Sequence, residues 1–222
     1  MMVETAGAHR FFRHGSVARI GVTRIIAGVT GIALVLVAAA LPIWRMRFLA
    51  PQYPTGLGIE AYGDRVDGDL SEITVLSHYI GLPRFDATGM PEMTLWPYVI
   101  LLAVLGVIVA TAGNRTLWRR LACTGLWLIP VGALADVQFR LWQMGHNLDG
   151  SAPLTIDSFT PLVVGPTTVM NFTMWGIPGS ALTLIAAAAT LVTFAPAIAR
   201  RIQRGVALRT TQSSSVPLTN TK

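Results

Sequence analysis

Four stretches of this chain stay apolar for long enough to cross a bilayer, and polar, proline-rich or basic segments separate them. A helix spanning about 30 Å of hydrocarbon needs about 20 mostly apolar residues. Ile25 to Trp44 carries no charge, and neither does Met93 to Asn114, where Trp96 and Tyr98 lead as interfacial aromatics. Leu121 to Ala135 is shorter and reaches span length by running through Asp136 to about Trp142. Ser158 to Ala199 is uncharged, but Pro161, Gly165, Pro166, Gly176 and Pro178 make its first part a loop and start the span at Ile177. Pro178 suits a first helical turn, where its missing N–H would have no partner anyway. The pattern predicts spans at about 25–44, 94–113, 120–142 and 177–198, an all-α membrane protein with four transmembrane helices. Two outer segments, 45–93 and 143–176, lie between spans, and terminal segments 1–24 and 200–222 flank them, the latter a Ser/Thr-rich disordered tail.

The first outer segment is expected to mix a short strand with a short helix. Ala50-Pro51-Gln52-Tyr53-Pro54 is too proline-rich for a helix. Leu57 to Tyr62 alternates as a short strand does, and Gly63 to Gly68 reads as a turn. Asp69 followed by Glu72 three residues on marks a helix start. That helix runs to about Tyr79, ends at Gly81-Leu82-Pro83, and carries His78 in its last turn.

Composition agrees with the membrane reading. Charged residues make up 13 % of the chain, against about 25 % in soluble domains. One cysteine, Cys123, excludes an internal disulfide framework and any CxxC motif. Charge sets the orientation: Arg10, Arg13, Arg19, Arg24, Arg115, Arg119, Arg120 and the five basic residues from Arg200 onward fall on one side. Both termini are therefore expected in the cytoplasm, and the net charge of +6 is a topology signal rather than a nucleic-acid footprint. Ala38-Ala39-Ala40 resembles a cleavage site and leaves a signal peptide as the alternative for the first span. Its apolar stretch is longer than the usual core of about 7–15 residues.

The candidate chemistry gathers on the outer side. Asp136 and Arg140 are four residues apart and share a helix face. An ionisable residue at membrane depth costs roughly 2.5–3.5 kcal/mol on insertion scales and usually has a partner or a task. Asp136 is read either as an ion pair with Arg140 or as a carboxylate orienting a metal ligand. Met144-Gly145-His146-Asn147-Leu148-Asp149 is the densest cluster of ligand types, with His146 and Asp149 three apart. It is either a hydrogen-bonded helix exit or a metal site. His78 is either a helix-terminal cap or a ligand, and Met90 and Met144 are candidate soft ligands. Imidazole with thioether suits copper; imidazole with carboxylate suits zinc, iron or copper(II). No histidine lies mid-span to hold a membrane haem, and no nucleophile with an adjacent base is visible.

Ala50-Pro51-Gln52-Tyr53-Pro54, His78-Tyr79-Ile80-Gly81 and Gly145-His146-Asn147-Leu148-Asp149 together resemble a family of small four-helix bacterial membrane proteins. Its genes tend to accompany a copper chaperone of the nitrous-oxide-reductase assembly type. The resemblance covers about residues 40 to 198. It departs at Leu82, where the family version has methionine, and at Ser77, where asparagine is familiar. It implies copper handling at the outer face of the bacterial cytoplasmic (inner) membrane, with His78, His146 and Asp149 as the metal residues. It also implies a place beside copper-dependent membrane monooxygenases.

The leading expectation is a non-catalytic accessory protein that binds or passes copper, partnered by lipid and by a larger membrane complex or a copper chaperone. The alternative is a purely structural subunit without a metal, packing through small residues such as Gly28, Gly31 and Ala38–Ala40 in the first helix and Ala186–Ala189 in the last. A third reading is an enzyme acting on a hydrophobic substrate with the outer histidine–carboxylate cluster.

Overall fold

The computed structural model describes residues 5–79, 81–82, 91–150, 152–153 and 156–213. The order is α1 (Thr5–Ala38), β1 (Trp44–Ala50), β2 (Tyr53–Ala61), β3 (Val66–Gly68) and α2 (Leu70–Tyr79). Then come a short 3₁₀ turn (Pro91–Leu95), α3 (Trp96–Ala112), α4 (Thr116–His146), β4 (Gly165–Val169), β5 (Phe172–Pro178) and α5 (Ser180–Ser213). The helices Met93–Ala112, Thr116–His146 and Ser180–Ala197 are long and apolar enough to cross a membrane, and Val22–Ala38 is a shorter apolar helix.

The all-α expectation is overturned. The outer segments build one five-stranded antiparallel sheet of order β3-β2-β1-β5-β4, so the fold is mixed α/β. Two causes explain the difference. The first helix stops at Ala38, and Trp44-Arg45-Met46-Arg47-Phe48-Leu49-Ala50 then alternates buried and less buried positions as a strand, where the apolar count had carried the helix to Trp44. The proline- and glycine-rich stretch before the last helix holds β4 and β5, and β5 pairs with β1, which is remote in sequence. The last span accordingly begins at Ser180 rather than Ile177, and its helix continues to Ser213 through the segment expected to be a disordered tail.

One sheet face is the outer core. Trp44, Met46, Phe48 and Ala50 of β1 meet Leu57, Ile59 and Met174, closed over by Ile73 of α2 and Leu141 of α4. Burying each large side chain there is worth about 1.5–3 kcal/mol. Phe48 also stacks on Phe172 with ring centroids 5.3 Å apart. Arg45 and Glu60 are cross-strand partners on the opposite, solvated face, with Nε and Oε1 3.0 Å apart. Half-exposed pairs of this kind contribute at most about 1 kcal/mol.

The helical layer has its own core of Val35, Val107, Leu126, Ala188, Ala189 and Val192. Small residues set the approach of α1 to α3 and α5. A methyl at Gly31 would lie 3.2 Å from the side chains of both Val107 and Val192, and one at Gly28 3.1 Å from the Thr111 hydroxyl. Ala188 and Ala189 are fully buried. These small faces are covered within the chain.

Layers join where α1 and α5 pass into β1 and β5. The Gly179 N–H donates to Ile43 O at 2.7 Å and the Ala181 N–H to Pro42 O at 3.0 Å. Any side chain at position 179 would overlap the Pro42 carbonyl. Gly179→Val is expected to cost about 1–3 kcal/mol through this overlap. Thermal unfolding in detergent should show a lowered midpoint, with Gly150→Val, at a glycine whose surroundings are open, as the unaffected comparison.

Candidate functional site

The two outer motifs meet at one backbone junction. Helix α2 buries Ile73 and turns His78 outward in its last turn, where the ring is exposed. The helix closes with Leu82 N–H donating to Ser77 O at 3.0 Å and Gly81 N–H to His78 O at 3.4 Å, around Gly81 at φ +74°. This double closure with a left-handed glycine is the Schellman arrangement. Ser77 is buried and donates to Thr74 O at 2.9 Å. The carbonyl of Gly81 then accepts from Asp149 N–H at 2.8 Å. A side chain at Gly81 would press to 2.6 Å from Asp149 O, so the glycine serves both the turn and the contact.

The second motif is shaped by the same kind of contact. Helix α4 ends at His146, and Asn147 N–H caps it by donating to Gln143 O at 2.9 Å. Asp149 therefore lies beyond the helix, and the neighbourhood of His146 and Asp149 that helical spacing suggested does not arise from a shared turn. Gly145 is buried against Phe159, whose N–H donates to Gly145 O at 3.1 Å.

His146 is exposed but held. Its Nδ1 lies 2.9 Å from Trp142 O, and its ring stacks on Trp142 with centroids 4.7 Å apart. A carbonyl oxygen only accepts, so Nδ1 carries the proton and Nε2 keeps its lone pair in the neutral ring. That is the state in which an imidazole binds a metal. Among the described residues, no three His, Cys, Asp or Glu side chains converge. Met90 lies outside the described residues.

Asp136, Arg140 and Met144 are placed elsewhere, one turn apart along α4, in the wall of a cavity of about 530 Å³. The cavity lies between α4, the start of α3 and the sheet, with Trp44 and Trp96 among its walls. Tyr62 reaches it from the end of β2. Its hydroxyl donates to Glu60 Oε2 at 2.8 Å, and that hydrogen bond to a carboxylate pushes the Tyr62 pKa above its ordinary value. The Arg65 guanidinium lies over the Tyr62 ring, 4.0 Å from its centroid, and pulls the other way. Cys123 is half-buried in α4 and free.

One organising residue was not singled out from sequence. The Gln138 side chain on α4 donates from Nε2 to Pro161 O and accepts at Oε1 from Val163 N–H, both at 2.9 Å. It clamps the segment entering β4, and Trp44 Nε1 donates to Val163 O at 2.7 Å from the sheet side. The available signal was an amide between Asp136 and Arg140 in a span, a side chain that needs a partner at that depth.

Gln138→Leu removes both bonds and leaves the Pro161 carbonyl and Val163 N–H without them, at about 1–3 kcal/mol. The expected result is faster hydrogen exchange at Val163 together with a lowered unfolding midpoint; unchanged exchange would show that the clamp is dispensable.

No protein-family model matches the chain, and no curated protein matches it.

Proposed function

We propose that this protein is a non-catalytic accessory protein of the bacterial cytoplasmic membrane that takes up copper at its outer face and passes it to a partner. The observation that carries the reading is His146: a ring oriented by Trp142 through stacking and an Nδ1–H to carbonyl bond, with Nε2 available on an exposed surface. Metal-binding histidines are commonly fixed in this way, by a carbonyl or carboxylate on the second ring nitrogen. Imidazole is a suitable donor for copper. His78 belongs to the same junction: it stands three residues before Gly81, His146 stands three before Asp149, and the Gly81–Asp149 bond ties the two exits together. Exposure of both rings supports transfer over storage. A larger membrane complex or a copper chaperone is the partner class that fits.

The alternative of a purely structural subunit relied on small residues of the first and last helices. Gly28, Gly31, Ala188 and Ala189 face other helices of the same chain, which weakens that support.

The test is elemental analysis of the full chain, purified in detergent and loaded with copper(I) under reducing conditions. About one copper per chain is expected, falling at least several-fold in a His78→Ala/His146→Ala double variant whose unfolding midpoint is unchanged. Copper at background in the unaltered protein, or equal binding by the double variant, would overturn the proposal.

A further inference from the structure

The cavity beside α4 is separate from the histidine junction, and its form points to a ligand. Its lining on α4 runs from Gly125 to Met144. At 1.5 Å per residue that stretch of helix wall covers about 28 Å. Gly125 and Gly132 form part of this wall, and a methyl group added at either would meet nothing within 4 Å. Glycine in a helix interior is disfavoured relative to alanine. Here the two glycines open space that the chain does not fill.

The walls are apolar by construction. Both tryptophans at the cavity have turned their N–H groups to backbone carbonyls: Trp44 donates to Val163 O at 2.7 Å and Trp96 to Ala39 O at 3.2 Å. What these indoles offer the slot is carbon. The deep end is lined by Gly125, Leu128 and Ile129, whereas Tyr62, Asp136 and Arg140 stand toward the outer end. Polar side chains thus enter only in the outer half of the slot, among Val137, Leu141 and Met144. A volume of about 530 Å³ also falls inside the range of roughly 300–1,000 Å³ seen for small-molecule sites.

We propose that this slot binds one membrane amphiphile, with its hydrocarbon tail along Gly125 to Ala133 and its polar end near Tyr62, Asp136 and Arg140. The inference rests on the reading of α3, α4 and α5 as membrane spans. The deep end then faces hydrocarbon chains, and the outer end lies at the level where head groups begin. The tail can belong to an outer-leaflet phospholipid or to an isoprenoid quinone. Both present the same long apolar chain below a polar end.

The experiment is native mass spectrometry of the full chain in detergent, followed by extraction and identification of co-purified lipid. About one amphiphile per chain is expected for the unaltered protein. Gly132→Phe and Gly125→Phe, which fill the slot from α4, should each lower retention at least five-fold with an unchanged unfolding midpoint. Gly132→Ala should keep it. Phospholipid or quinone in the extract identifies the source of the chain, and either supports the slot. Equal retention by well-folded Phe variants would overturn it by reducing the lipid to a general coat. So would a lipid-free unaltered protein. Recovery of the protein from the soluble fraction would instead overturn the membrane reading, and the slot with it.

Discussion

The outer half of this molecule depends on the passage from helix to strand at Pro42–Trp44 and Pro178–Gly179. Helices α1 and α5 pack side by side, and β1 and β5, which continue them, pair in the same order from Trp44↔Pro178 to Leu49↔Thr173. Register in a sheet has to be fixed, because a slip of one residue turns every side chain to the other face. Here the two hydrogen bonds from Gly179 and Ala181 to Ile43 and Pro42 fix it at the mouth of the helix pair. The alternation of β1 then places Trp44, Met46 and Phe48 in the outer core and Arg45 and Arg47 on the solvated face.

From that anchor the rest follows by contact. β2 and β3 extend the sheet on one side and β5 and β4 on the other. Helix α2 caps the buried face through Ile73, and α4 reaches it from below through Leu141. Gln138 holds the segment that enters β4. Once these elements are seated, the exits of α2 and α4 are neighbours, and Gly81 and Asp149 bond. The sheet and the exits of α2 and α4 thus form a folded platform that presents two exposed histidines at one junction, with an apolar cavity beside α4.

Much of this was legible in the sequence because it is local. The apolar stretches marked the three helices long enough to cross a membrane, Asp69 and Gly81 bracketed α2, and the positions of His78 and His146 at helix ends followed from spacing. What escaped was non-local. β1 and β5 are more than a hundred residues apart, so neither shows its partner locally, and the alternation Trp44-Arg45-Met46-Arg47-Phe48 was hidden by the apolar stretch that leads into it. Apolar length also misled at Trp44: a buried strand following a span looks like more span. Spacing places Asp136 and Arg140 on one helix face, but nothing local to α4 says that this face lines a cavity. Gly125 and Gly132 gave no warning either, since a glycine in a membrane helix ordinarily marks close packing and here marks empty space.

Histidine nitrogen at the junction of the two outer motifs is the proposed donor to the metal. X-ray absorption at the copper edge, on the copper(I)-loaded full chain, reads the donor atoms directly. Imidazole scattering that is lost in His146→Gln is the predicted result. A coordination shell of sulfur alone, unaltered in that variant, would contradict the account.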